Sequence, residues 1–323
     1  PQARMQELAR YEIDLEGKDS ETPSQGLTPK TEAASWHSVV RTCDRIAAQL
    51  NPNQPHWYQG FDQFDLPVTA FLEAHALDIN DVSTFLAHGF ALQGAHPDDY
   101  SMLNLLHEFA SFGGVEAAFS GAERRIAGGA QSLSIAMAKT LGSALRLNCP
   151  VTRIAKTERG VIVEGPAGQI LAGQVIVALP LNVPSRLSLD GPLPAVAARV
   201  SAEGHVGRAA KGWVAATLTE PAESIGWPHA VEVYSRRGSR SDAVCTFAVA
   251  EPGHNEALTE SWRALATRHP DVALHQQHLS HDWIADPFSR GSWLSSAPGQ
   301  MRGLHELADM PLPVLFAGGD LSR

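Results

Sequence analysis

Cysteine is scarce in this sequence, and its three cysteines, Cys43, Cys149 and Cys245, lie far apart. The number is odd and no C-x-x-C pair occurs, which argues against a disulfide framework and against a zinc site. This usage fits a reducing compartment, so we expect a cytoplasmic protein. Long apolar runs are also missing. No stretch approaches the roughly 18 consecutive apolar residues of a membrane span, and no signal-peptide core opens the chain, so we expect no membrane association.

Positive charge is in deficit, with 25 Lys and Arg against 35 Asp and Glu. The resulting formal net charge of -10 argues against a nucleic-acid partner, because binding to phosphates requires a basic surface. The nucleophile motif G-x-S-x-G is absent, which argues against a hydrolase of that kind. The length of 323 residues and the apolar content of 44% are those of a globular protein of about two domains.

The first 120 residues are dominated by helical periodicity. In "TPKTEAASWHSVVRTCDRIAAQL" the apolar residues recur at three- and four-residue steps, with Thr28 as the expected N-cap. The stretches "DLPVTAFLEAHAL" and "DDYSMLNLLHEFASFGG" repeat the pattern, and the second should end at Gly113. His75, His88 and His107 fall on these helices without a metal-ligand spacing, so we expect them to pack or to face solvent.

The spacing of the apolar residues changes after residue 123. A Gly128–Gly129 turn precedes a further helix, and several short apolar runs separated by Gly, Pro or charged turns then predict consecutive strands. The last of these runs, "QVIVAL", is unbroken and should be buried on both faces. Strand patterns in "GWVAATLT", "AVEVYS" and "DAVCTFAVA", a helix in "NEALTESWRALATRHP" and a closing strand in "MPLPVLFAGGD" follow. Together they predict a mixed α/β fold of two interleaved domains.

Several short segments could carry chemistry, although each has an ordinary structural explanation. The Gly128–Gly129 pair could present backbone amides to a ligand or form a plain turn. Lys211, between Ala210 and Gly212, could be a directed donor in a dry site or a strand-edge lysine facing water. The Gly318–Gly319–Asp320 turn suits a bound nucleotide and equally suits any strand-to-helix connection. Trp283 and Trp293 frame an irregular turn and could form core or pocket wall.

The order of these segments is more specific than any one of them. The succession "GG-x-x-x-L…LG", "PV-x-x-I", "VIVALP", the lone lysine of "GRAAK", "DW-x-x-DPFSRGSW", "APGQ" and "FAGGD" resembles the flavin-containing amine oxidase family. The resemblance covers nearly the whole chain and is most specific over residues 123–320. It implies a partial, Rossmann-like FAD-binding domain interleaved with a substrate domain of helices packed on a mixed sheet.

The resemblance also implies roles for individual residues. Lys211 matches the lysine that holds a water against the flavin, and Trp283 matches the tryptophan packed along the flavin ring. Trp293 matches one aromatic wall around the substrate nitrogen, and Ala122 lies where relatives have a pocket residue. The remaining positions implied to contact FAD are Gly128, Gly129, Val151, Gly318, Gly319 and Asp320.

Three departures from the family pattern change what is expected. Ser292 stands where some relatives carry the cysteine bonded to FAD, so FAD should be bound non-covalently. No G-x-G-x-x-G with a following acidic residue occurs, although that motif opens the family's Rossmann unit. The chain also begins at Pro1 and stops at Arg323 just after "PVLFAGGD", so we expect truncation at both ends.

The expected organisation is a helical part of the substrate domain over residues 1–120 and a return to the FAD domain over 121–185. The substrate-domain sheet and helices should occupy 186–283, with an incomplete C-terminal return to the FAD domain over 284–323. The implied reaction is oxidation of an amine to an imine, with dioxygen as electron acceptor. The alternatives are a same-fold flavoprotein acting on C–C bonds or amino acids, such as a desaturase or monooxygenase, and an inactive truncated scaffold. The sequence leaves the amine and the oligomeric state open.

Overall fold

A computed structural model describes residues 30–120, 126, 128–183, 187–219, 223–227, 230–236, 242–250 and 253–321. The expected N-cap Thr28 and the expected pocket residue Ala122 lie outside these described residues. Within them the architecture is mixed, with helices concentrated before residue 120 and three separate sheets after it, so the predicted α/β class is confirmed.

The first five helices form an apolar bundle. They are α1 (Lys30–Ala47), α2 (Val68–Ala74), α3 (Ser83–Gln93), α4 (Met102–Phe112) and α5 (Val115–Phe119). Each predicted helix of this region is present, and in α4 the Ser101 hydroxyl accepts a hydrogen bond from the Leu103 amide at 3.2 Å, capping the N-terminus. Gly113, with φ of 87°, ends the same helix in the left-handed conformation, as the sequence predicts. The bundle core includes the fully buried Phe85 and Phe109, whose ring centroids are 6.2 Å apart.

Later helices lie between or upon the sheets. They are α6 (Gln131–Leu141), α7 (Ala195–Glu203), α8 (His254–Arg268) and α9 (Met301–Ala308). The helices predicted from "QSLSIAMAKTL" and from "NEALTESWRALATR" are confirmed as α6 and α8, whereas α7 and α9 have no counterpart in the sequence prediction. The helices α7 and α9 pack together and contribute Val200 and Leu304 to a second apolar core, which also contains Val177 and Phe316.

The strands form sheets of five, four and two members among the described residues. They are β1 (Arg153–Thr157), β2 (Gly160–Gly165), β3 (Gly168–Ala172), β4 (Val175–Val177), β5 (Ser188–Leu189), β6 (Ala209–Thr217), β7 (Glu223–Ile225), β8 (Glu232–Arg236), β9 (Asp242–Val249), β10 (Ala273–Ser280) and β11 (Val314–Phe316). The five-stranded sheet has the order β10-β6-β9-β8-β7 and is antiparallel throughout, so β6 is an interior strand. The four-stranded sheet has the order β3-β2-β1-β5, and β4 pairs with β11 in parallel.

The prediction that "QVIVAL" is buried on both faces is wrong for this structure. Val177 is buried, but Ile176 is 64% exposed. Side chains alternate along a strand, and the described residues cover only the face of β4 that carries Val177. An unbroken apolar run therefore indicates a strand whose two faces can both be buried. The run does not specify which part of the protein packs on each face.

The five-stranded sheet has two different faces. Helix α8 packs on one of them, where Leu258 lies so close to Gly212 that a Cβ on this glycine would be 2.8 Å from the Leu258 Cδ1 atom. Because successive side chains of β6 alternate, Lys211 projects to the opposite face together with its cross-strand partner Phe247. None of the described helices has the length and apolar character of a membrane span.

Candidate active site

Lys211 lies near the start of β6, the second strand in the order of the five-stranded sheet. Its ammonium nitrogen is 4.5 Å from the centroid of the Phe247 ring, which makes a cation–π contact between neighbouring strands. The side chain is exposed, yet β6 has β9 and β10 on its two sides. The pairing of β6 with β10 ends at Gly212, whereas Lys211 pairs with Phe247 of β9, and this register fixes where the cation stands. The role of Lys211 as a directed donor stays a prediction.

Trp293 lies beside the same phenylalanine. The indole is 6.2 Å from the Phe247 ring, edge to face, and its Nε1–H donates a 2.6 Å hydrogen bond to the Leu92 carbonyl at the end of α3. The tertiary structure thus brings Lys211, Phe247 and Trp293 into one chain of contacts. Sequence reasoning missed Phe247, although the alternation in "DAVCTFAVA" could have indicated that it shares a face with its cross-strand partners.

The segment that carries Trp293 is held against the beginning of β6. The Ser292 amide donates to the Gly207 carbonyl at 3.0 Å, and the Ser292 hydroxyl accepts from the Ala209 amide at 3.2 Å. Gly94, with φ of 65°, closes α3 directly against this segment. A Cβ there would lie 2.9 Å from the Ser292 hydroxyl oxygen, so the close approach of α3 to the Ser292 segment requires glycine.

Trp283 lies at the other end of the turn and is 49% exposed. The centroid of its ring lies 4.2 Å from that of His281, whose Nε2 is hydrogen-bonded to the Asp286 carboxylate at 2.9 Å. The Trp283 carbonyl accepts from the Gly291 amide at 3.1 Å and so closes the turn. In the described part of the chain, the cation–π contact of Lys211 is with Phe247 and not with this indole.

The C-terminal turn meets the chain that leaves β4. Gly318 has φ of 120° and follows β11, and the Asp320 carboxylate accepts a 2.7 Å hydrogen bond from the Leu181 amide. Burial lowers the pKa of the nearby His205, the negative charge of Asp320 opposes this shift, and Arg208 adds to it. Asp320 therefore links two segments that are 139 residues apart in sequence.

The expected cofactor contacts near α6 are accessible. Gly128 and Gly129 have φ of 78° and 83° immediately before the helix, and Val151 is 44% exposed. Helix α6 has no buried residue, and most of the large exposed apolar side chains of the described chain lie between residues 126 and 179. Exposed apolar side chains at this density mark a contact surface. They are Ile126, Leu133, Ile135, Met137, Leu141, Leu145, Leu147, Val151, Ile170, Leu171, Ile176 and Leu179.

A cavity of about 460 Å³ lies apart from these residues. It is lined by Arg208 and Ala250 of the sheet region, by Gly253 and His254 at the start of α8, and by the turn after His281. Arg208 precedes Lys211 by an odd number of positions, so it projects to the α8 face of the sheet. Arg208 therefore does not share a face with Lys211.

Comparison with known protein families identifies the family of this chain. The profile described as flavin containing amine oxidoreductase matches residues 61–322. The chain belongs to this family. The family resemblance predicted from the sequence is thereby confirmed, and with it membership in a family of flavin-dependent oxidoreductases.

Three curated members of the family have named activities. Nicotine dehydrogenase of Pseudomonas putida is 26% identical over 242 residues, covering 71% of this chain and 49% of its own length. Pseudooxynicotine dehydrogenase of a Pseudomonas species is 27% identical over 215 residues, covering 62% and 42%. (S)-6-hydroxynicotine oxidase of Paenarthrobacter nicotinovorans is 26% identical over 306 residues, covering 91% and 70%. The chain spans about half the length of the first two relatives.

Solved structures of family members share the fold. Putrescine oxidase bound to putrescine matches with a TM-score of 0.77 at 22% identity, covering 96% of this chain and 75% of the other. Cyclohexylamine oxidase from Brevibacterium oxydans matches with a TM-score of 0.72 at 17% identity, covering 94% and 72%. At these identities the likeness establishes the fold alone.

Proposed function

We propose that the protein containing this chain oxidises a C–N bond of an amine to an imine, with FAD as the bound cofactor. The observation that carries the proposal is the contact chain of Lys211, Phe247 and Trp293 on the sheet face opposite α8. It puts one cation and two aromatic faces beside one another in a chain that belongs to a flavin-containing family.

The residues near α6 and after β11 fit a flavin dinucleotide. Positive φ at Gly128, Gly129 and Gly318, which have no side chains, lets a ligand approach the backbone closely at two turns. The exposed apolar side chains between residues 126 and 179 need a cover, which a cofactor and the remaining quarter of the putrescine oxidase fold would supply. Val151, Trp283, Gly319 and Asp320 complete the set that we propose to hold FAD.

The amine is proposed to bind against the Trp293 indole. The π face of this ring attracts the amine in its protonated form by about 0.5–2 kcal/mol and helps to orient the α-carbon. The Lys211 ammonium is proposed to donate a hydrogen bond beside the flavin and to hold a water molecule there. Bound FAD would accept the two electrons that leave the substrate. The substrate loses two electrons and two protons, and water then converts the imine to a carbonyl compound and ammonia or an amine.

Dioxygen is the proposed final acceptor, taking the two electrons and two protons to give hydrogen peroxide. FAD is proposed to be non-covalent because Ser292 offers no thiol, and its hydroxyl already bonds to the Ala209 amide. An amino-acid substrate would require an arginine for its carboxylate. Arg208 projects to the other face of the sheet, so this arginine is not placed to bind such a carboxylate beside Lys211.

Flavin absorbance in the full-length protein tests the proposal. Under anaerobic conditions the flavin band should bleach on addition of an amine and return with air, with release of hydrogen peroxide. Cyclohexylamine, putrescine and nicotine are suitable first probes. A yellow protein that bleaches with none of a broad amine panel would point to the C–C or amino-acid alternative, and a colourless full-length protein would point to the scaffold alternative.

A further inference from the structure

The side-chain amide of Asn182 joins three segments that are distant in sequence. Its Oδ1 accepts a 2.6 Å hydrogen bond from the His205 amide, while its Nδ2 donates to the Arg290 carbonyl at 2.9 Å. A longer bond of 3.4 Å runs from Nδ2 to the His205 carbonyl. One planar group therefore ties the chain leaving β4 to the entry of β6 and to the turn between the two tryptophans.

Two of these segments lead directly to the proposed catalytic face. His205 begins the stretch that enters β6 and reaches Lys211, and Arg290 begins the stretch that reaches Trp293. Beyond the Asn182 amide the two stretches run side by side, with Ser292 donating to Gly207 at 3.0 Å and Val206 donating to Ser295 at 2.9 Å. Asn182 thus stands where this pairing begins.

Tight packing leaves little freedom around the amide. A Cβ on Gly291 would lie 2.6 Å from the Asn182 Nδ2 and 2.7 Å from the His205 Cε1. Gly204 would also contact Asn182 if it carried a side chain. The His205 ring is buried and its Nδ1 accepts a hydrogen bond from the Gly207 amide at 3.0 Å. This local bond holds the backbone just before β6.

We propose that Asn182 is a positioning residue that sets the Trp293 indole relative to Lys211. Its kinetic consequence depends on the proposed amine oxidation, whereas its effect on the turn does not. Substitution should loosen the Arg290–Ser292 segment and shift Trp293, while the pairing of β6 with β9 keeps Lys211 in place. Misplacement of one aromatic wall lowers turnover because the α-carbon no longer meets the cofactor in the reactive geometry.

The test is Asn182→Asp in the full-length, flavin-containing protein. This nearly isosteric change keeps the acceptor for the His205 amide and replaces the donor that faces the Arg290 carbonyl by an oxygen. Amide hydrogen exchange of peptides covering residues 289–295 should become at least about tenfold faster, because the pairing loses its anchor. Exchange in α1 should stay unchanged. The value of kcat should fall at least about tenfold with FAD content retained, since the contact acts on reaction geometry rather than on cofactor binding.

Asn51→Asp is the matched control, because its Oδ1 accepts only a local 3.3 Å hydrogen bond at the surface. It should change neither quantity. If Asn182→Asp does not fold, Asn182→Ser with trypsin cleavage between the exposed Arg290 and the buried Gly291 gives the same information, and faster cleavage than in the parent is expected. Unchanged exchange or cleavage at this turn would overturn the positioning role. Faster exchange in a protein whose parent oxidises no amine would retain that role and reject the proposed function.

Discussion

The ammonium nitrogen of Lys211 lies 4.5 Å above the Phe247 ring, and these two residues are cross-strand partners on β6 and β9. The register of two interior strands therefore fixes the position of the cation. Phe247 in turn contacts the indole of Trp293, which comes from a turn far away in sequence. The contacts of Lys211 and Trp293 with Phe247 are the basis of the role that we propose for this lysine beside the flavin.

Replacement of Lys211 by methionine removes the charge and keeps most of the apolar stem over Phe247. We expect amine oxidation or flavin reoxidation in the full-length protein to slow by about 100-fold or more, in the range typical of a lost proton donor. Stopped-flow measurement of the two half-reactions locates the defect, and the flavin spectrum should show that FAD stays bound. Lys156→Met, on an exposed part of β1, is the control and should leave both rates unchanged. Wild-type turnover in the Lys211 variant would reduce this residue to an ordinary strand lysine.

A pair of substitutions separates the hydrogen bond that Trp293 makes from the aromatic wall that we propose it forms. Trp293→Phe keeps an aromatic face and loses the 2.6 Å hydrogen bond to the Leu92 carbonyl, whereas Trp293→Ala loses both. We expect KM for the amine to rise a few-fold in the first variant and about tenfold or more in the second, since one cation–π contact contributes up to about 2 kcal/mol. Steady-state kinetics measure this difference. Equal KM values in all three proteins would exclude Trp293 from the substrate wall.

Acid precipitation reports how the cofactor is held. Because Ser292 occupies the position that would need a thiol, all flavin of the full-length protein should remain in the supernatant after precipitation with trichloroacetic acid. Absorbance of the supernatant and of the redissolved pellet measures the two fractions. Flavin that stays with the pellet would contradict non-covalent binding.

His88 should make stability dependent on pH. Burial lowers the pKa of His88 from its ordinary 6.5 to about 4, and the ring stacks on Phe119 with centroids 4.8 Å apart. Between these values the unfolded chain binds a proton that the folded chain does not. The free energy of unfolding should therefore decrease as the pH falls from 6.5 towards 4, by up to about 1.4 kcal/mol per pH unit from this residue.

Urea unfolding of this chain between about pH 7.5 and about pH 4.5 measures that slope. The variant His88→Phe keeps a flat aromatic ring and should show a shallower slope than the parent. The same substitution at the exposed His278 is the control, and equal slopes in the parent and in His88→Phe would disprove the assignment.

Gly291 should tolerate no side chain. A methyl group there would lie 2.6 Å from the Asn182 Nδ2 and 2.7 Å from the His205 Cε1, so Gly291→Ala forces a backbone or side-chain shift. We expect a loss of about 1–3 kcal/mol in the free energy of unfolding, as for other overpacked sites. Gly173→Ala is the matched control, because a methyl group at that position would find open space within 4 Å, and it should be nearly neutral. An unchanged free energy of unfolding in Gly291→Ala would mean that the packing of Gly291 against Asn182 and His205 can expand.

Much of the local structure was predictable because its determinants are neighbours in sequence. The apolar spacing of "SMLNLLHEF", the Ser101 cap and the Gly113 terminus together specify α4. Alternating apolar residues between Gly, Pro and charged turns likewise indicated β1, β2, β3, β6, β8 and β9. Helices α7 and α9 were not predicted, and the exposure of Ile176 contradicts the expectation from its apolar run. The predicted domain boundaries and site assignments stay predictions.

By itself the sequence determined the helices and strands with clear periodicity and the ordered motifs that identify the family. Only the tertiary structure decided that Lys211 rests on Phe247, that Trp293 bonds to a carbonyl 201 residues away, and that Asn182 reaches Arg290 across 108 residues. The physical reason is that periodicity and turn chemistry act over about one helical or strand segment. Contacts between distant segments depend on strand register and helix packing, which no local pattern of residues specifies.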